Sequence, residues 1–150
     1  MAQQPFNHIL VLVDGTESSL KAAECAVQLA RAYKAQLSAV SVVETATLKR
    51  LLTSRIMVPA EMEEYERDLE ASSRRHLTYV ADLAREHGVR TQTVLLKGAV
   101  HSAVLAEQKS SGSDLIVIGA FRWTLCHRDI SARERQLILD EAPCPVLVVR

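Results

Sequence analysis

The chain has 150 residues, 48% of them apolar, and its 18 Lys and Arg balance its 18 Asp and Glu. That size suits one domain, residues 1–150, with a core that needs neither disulfides nor a structural metal, and zero net charge gives the molecule no bias toward nucleic acid or an anionic membrane. No apolar run approaches the roughly 18 residues that span a bilayer, and Met1 to Asn7 are too polar for a secretory signal, so a cytoplasmic location is expected. The three cysteines, Cys25, Cys126 and Cys144, are odd in number and form no C-x-x-C pair. Reduced thiols are therefore expected, and no ligand cluster with zinc spacing is visible.

In chain order, His8 to Val13 contains an apolar run without alternation, which suits a strand covered on both faces. Asp14-Gly15-Thr16 is a turn with helix-start chemistry, and Thr16 is placed to cap a helix from about Glu17 to Lys34. Gln36 to Glu44 reads as the second strand. Thr45 to Pro59 reads as a longer connection with no clear period. A long helix is expected from about Ala60 to Glu86, with Met62, Tyr65, Leu69, Leu77, Val80 and Ala84 as its apolar stripe and His87-Gly88 as its stop. Val89 to Leu96 alternates like a half-covered strand, Gly98 breaks it, and a short helix follows from about Val100 to Ser110. Asp114 to Gly119 holds another buried-type strand. Ala120 to Ile130 reads as irregular, Ser131 to Glu141 as a helix ended by Pro143, and Cys144 to Arg150 as the last strand.

Five strands alternating with four helices predict an α/β fold: a doubly wound five-stranded parallel sheet with helices on both faces. In such sheets ligands bind beyond the carboxyl ends of the strands, near the point where the strand order reverses. The positions to inspect are Asp14, Val42 to Glu44, Lys97-Gly98 and the stretch from Gly119 onward.

The segments I-L-V-L-V-D-G-T-E-S-S at Ile9 to Ser19, L-K-G at Leu96 to Gly98, D-L-I-V-I-G at Asp114 to Gly119 and A-P-C-P-V-L-V-V-R at Ala142 to Arg150 together resemble the universal stress protein family over essentially the whole chain. The resemblance implies a Rossmann-like fold of the adenine nucleotide alpha-hydrolase type. Many members bind ATP through G-x-x-G followed, after nine residues, by G-S or G-T. Glycines there let backbone N–H groups approach phosphate oxygens, with a helix N-terminus facing the anion. Here Gly119 keeps the first position, Arg122 stands at the second, and Ala132-Arg133 replaces the final pair. Long side chains thus enter the phosphate space, and Ala132 takes positive φ only at about 1 kcal/mol or more.

The adenosine end is better kept. The resemblance places Asp14 at a ligand-contacting position and Val42 where a valine backbone meets adenine. Asp14 equally suits a turn and helix start. The resemblance therefore points to a branch that does not bind ATP strongly, with a cleft built from Asp14, Val42, Gly119, Arg122 and Arg133. A basic segment, Arg122, Arg128, Arg133 and Arg135, offers side-chain partners for a phosphate instead.

No catalytic pair stands out: Ser18-Ser19 lacks a G-x-S-x-G setting, and no P-loop is present. Trp123, Cys126 and His127 read as a loop covering apolar surface rather than a metal patch, although Cys126 beside Arg128 admits a redox-sensitive thiol. Cys25 and Cys144 read as inert core residues. The expected function is a non-enzymatic stress-response regulator or adaptor, homodimeric through its final strand, with protein partners in stress signalling. A sensor of ATP, AMP or another small anion is the alternative, and a slow nucleotide hydrolase the third reading. A buried-type strand at a sheet edge needs a partner for its backbone, which is the argument for the dimer.

Overall fold

The computed structural model describes residues 5–121 and 130–150, so Arg122 and the Trp123, Cys126 and His127 group lie outside the described residues. Strand β1 (His8–Leu12) leads into helix α1 (Glu17–Tyr33), followed by β2 (Gln36–Val43). Thr16 caps α1 as its composition predicts, its hydroxyl accepting from the Ser19 N–H at 3.2 Å. Lys34 closes α1 in the left-handed conformation.

Next come α2 (Thr45–Thr53), α3 (Pro59–Glu86), β3 (Thr91–Lys97), α4 (Val100–Ser111), β4 (Leu115–Gly119), α5 (Ile130–Glu141) and β5 (Val146–Val149). The described residues thus hold five helices, not four. The segment read as an unpatterned connection is largely α2, whose Leu48, Leu51 and Leu52 stand at helical spacing.

All strand pairs are parallel, in the order β3-β2-β1-β4-β5. The order reverses between β1 and β4, where Ile9 stands beside Leu115 and Val11 beside Val117. Successive residues of a strand face opposite sides, so the core divides in two. Ile9, Val11, Leu37, Ala39, Leu115 and Val117 pack with the small residues Ala22, Ala23, Ala26 and Ala30 of α1 and with Leu77, Val80 and Ala84 of α3. Leu10, Leu12, Val40, Ile116 and Ile118 pack on the other face with Val104 of α4 and Ile138 of α5. Because both faces are covered, β1 and β4 carry the unbroken apolar runs visible in the sequence.

The stripe expected along α3 divides. Leu77, Val80 and Ala84 are buried against the sheet, whereas Tyr65 is exposed and Leu69 half-buried. Beyond the sheet's edge the early half of α3 is tied to the end of β3 by Lys97, whose Nζ lies 3.2 Å from Glu66 and 3.5 Å from Glu70. These carboxylates raise the Lys97 pKa, the Glu66 hydrogen bond first. Arg74 and then Lys97 lower that of Glu70. Cys25 and Cys144 are half-buried rather than core residues, and burial pushes the Cys144 thiol up.

Candidate functional site

Gly15, at φ +81°, turns the chain after β1, and Asp14 organises that turn. Its Oδ1 accepts from the Thr16 backbone N–H at 3.0 Å and from the Thr16 hydroxyl at 2.6 Å. Its Oδ2 forms an ion pair with a guanidinium nitrogen of Arg135. Asp14 is therefore a turn residue that also forms part of the cleft wall.

The cleft has a volume of about 370 Å3 at the carboxyl ends of β1 and β2. Leu12, Val42, Leu48, Leu51, Leu69 and Val100 give it apolar walls, and Tyr65 of α3 stands over it. The helix that the sequence reading missed supplies Leu48 and Leu51, so the i, i+3 leucine spacing was the available signal. Among the described residues the rest of the lining is Asp14, Glu44, Glu134 and Arg135, three carboxylates and one cation.

These carboxylates have partners within the chain. Ala99 precedes α4 without a side-chain cap, leaving the first N–H groups of that helix to be satisfied elsewhere. Glu44 Oε2 accepts from the Val100 N–H at 3.2 Å, and Glu134 Oε2 accepts from the His101 N–H at 2.8 Å. The same Glu134 oxygen meets His101 Nδ1. A helix N-terminus favours an anion, and here two side chains of the protein itself take that place.

Arg135 is 6% exposed, and burial lowers its pKa from the ordinary arginine value. An arginine nevertheless stays charged, so burial of this group depends on Asp14 and its other contacts.

Val42 lines the cleft. Gly119 does not: it lies buried at the end of β4, where a Cβ would stand 2.6 Å from the Ser18 carbonyl carbon and 2.7 Å from the Ser19 nitrogen. Its lack of a side chain admits helix α1, which explains the glycine without a phosphate. Arg133 is exposed and absent from the cleft lining. On a helix, neighbouring residues point about 100° apart, so with Arg135 turned inward against Asp14 its close neighbour Arg133 faces away. Among the described residues the arginine that lines the cleft is Arg135, two positions after Arg133 of the motif alignment. Among the described residues no group of three or more His, Cys, Asp or Glu could hold a metal ion, and no helix is long and apolar enough to cross a membrane.

Residues 5–150 match the universal stress protein family as a whole. Universal stress protein YxiE of Bacillus subtilis is 30% identical, over 97% of this chain and 99% of its own length. Among solved structures, a universal stress protein in complex with cAMP superposes with a TM-score of 0.68 at 20% identity, covering 97% of each chain. The universal stress protein of Archaeoglobus fulgidus in complex with dAMP does so with a TM-score of 0.63 at 15% identity, covering 96% of this chain and 98% of its own. The parallel sheet order, the match along 5–150 and the near full-length likeness to YxiE agree: this chain belongs to the universal stress protein family.

Proposed function

We propose that this protein is a non-catalytic stress-response regulator or adaptor, working in the cytoplasm as a homodimer, whose nucleotide cleft is closed to phosphates by its own side chains. The observation that carries this reading is the internal pairing of the cleft's charged groups. Asp14 is engaged by Arg135, and the N-terminus of α4 by Glu44 and Glu134. A triphosphate entering here meets carboxylates instead of open N–H groups, at a cost in like-charge repulsion. Calorimetric titration is expected to give ATP affinity no tighter than millimolar, and phosphate release from ATP no faster than in buffer. Micromolar ATP affinity that adenosine displaces, and that therefore belongs to this cleft, would overturn the reading.

The dimer is supported by β5. It is one of the two edge strands of the sheet, and its Leu147 and Val148 are 36% and 37% exposed. The carbonyls of Pro145 and Val149 accept from Ile116 and Ala120 of the β4 side. By the alternation of a strand, the Val148 N–H then points to the open edge. Val148→Pro removes that donor while leaving the β4 ladder intact. It is expected to convert a dimer into a monomer in sedimentation, with thermal stability of the monomer retained. A wild-type monomer at the same concentration would remove the dimer.

A second reading, a sensor of adenine nucleotides, is favoured by the relatives solved with cAMP and dAMP and by the apolar walls of the cleft that holds Val42. Each of those ligands carries a single phosphate. AMP bound at micromolar concentration, with ATP excluded, would favour this reading over the adaptor.

A further inference from the structure

At the opposite ends of the strands the lining chemistry inverts. A groove of about 320 Å3 is lined by Arg31 and Lys34 at the end of α1, by Gln36 at the start of β2, and by Arg90 before β3. A second groove, of about 170 Å3, shares Gln36 and Arg90 and adds His8, Ser38 and Gln92. Among the described residues no Asp or Glu lines either groove. Among the described residues, Arg31, Lys34 and Arg90 form no ion pair. Asp114, also at this end, is occupied by the N–H groups of Asn7 and His8.

Part of this charge has a local reason, since a cation near a helix C-terminus complements the macrodipole, and Arg31 lies in the last turn of α1. Arg90 has no such reason: it follows Gly88 and stands on the approach to β3, outside any helix. Ser38 is 1% exposed, and its hydroxyl is held at 2.7 Å by His8 Nε2. A fixed polar pair therefore forms part of the second groove, beside the flexible cations.

We propose that these contiguous grooves form a second ligand site, at the amino ends of β1, β2 and β3, which binds an oligophosphate anion. Arg31, Lys34 and Arg90 supply the charge, and the side-chain amides of Gln36 and Gln92 supply neutral donors. Two linked grooves sharing Arg90 suit a chain of phosphates better than a single one. β1 has five residues, which puts roughly 17 Å of strand between this site and the cleft at Asp14. The site thus stands or falls independently of what the cleft takes.

The test is calorimetric titration of the full chain with inorganic triphosphate, with ATP in a parallel arm. Saturable triphosphate binding is expected, weakened about tenfold when salt rises from about 20 to about 200 mM. The pair Arg31→Ala with Arg90→Ala should lose at least tenfold in affinity, whereas Lys21→Ala, on the exposed face of α1, should not. All the altered cations are exposed, so folding should persist. As a check in the intact chain, the side-chain amide signals of Gln36 and Gln92 should move with triphosphate. Absence of saturable binding, unchanged binding in the double variant, or binding of ATP but not of triphosphate would overturn the site. Equal binding of ATP and triphosphate would support recognition of the phosphate chain alone.

Discussion

Gly119→Ala is expected to destabilise the protein by about 3 kcal/mol, which for a chain of this length lowers the melting temperature by roughly 6–12 °C. The atoms a new methyl group meets are backbone: the carbonyl carbon of Ser18 at 2.6 Å and the nitrogen of Ser19 at 2.7 Å. No rotamer change relieves a backbone clash. Helix α1 must move, and it carries Ala22, Ala23, Ala26 and Ala30 into the core against β1 and β4. Gly112→Ala is the matched control. It lies in the left-handed region at φ +70°, yet nothing stands within 4 Å of its notional Cβ. Its cost is the conformational one alone, about 1 kcal/mol. Thermal or urea denaturation of the two variants separates them. A Gly119→Ala protein as stable as Gly112→Ala would return this glycine to the role that the ATP motif gives it.

Gly119 illustrates where sequence reasoning is strong and where it stops. The strand ending there was legible because β4 is covered on both faces, so Leu115 to Ile118 need no polar alternation. Thr16 was legible as a cap because capping is local chemistry. The glycine's reason was not legible, because it depends on Ser18 and Ser19, about a hundred residues away along the chain.

The same limit applies to α2. Leu48 and Leu51 had helical spacing, but a nine-residue helix carries too few repeats to stand out beside the weakly patterned residues after it. Arg133 and Arg135 show the limit at the site itself. A motif alignment marks a position in the chain, whereas the rotation of α5 on the sheet decides which side chain enters the cleft. Ile138 and Ala132 are buried on that helix, and Arg135, between them at i+3 spacing, goes inward with them. The burial of Ile138 fixes the inward face, and the arginine three residues before it follows.

That placement makes Arg135 the most informative residue in the cleft. Arg135→Met keeps the length and apolar stem of the side chain while removing the charge. It should cost about 2 kcal/mol, because the half-buried Asp14 carboxylate keeps its Thr16 hydrogen bonds but loses its cation. Asp14→Asn combined with Arg135→Met should recover at least half of that loss, since the pair as a whole is little better than two neutral groups of similar shape. A double-mutant cycle by urea denaturation measures the coupling. Nucleotide binding then decides what the pair is for. If Arg135 closes the cleft by holding Asp14, Arg135→Met frees that carboxylate for the hydroxyl and amino groups of a nucleoside, and AMP affinity rises about tenfold, or 1.4 kcal/mol. If Arg135 instead grips the phosphate of a bound ligand, the same change lowers AMP affinity by a similar factor and leaves adenosine unaffected. The first outcome keeps the cleft as a closed remnant in an adaptor protein. The second makes it a working nucleotide sensor whose phosphate contact has moved from glycine backbone to an arginine side chain.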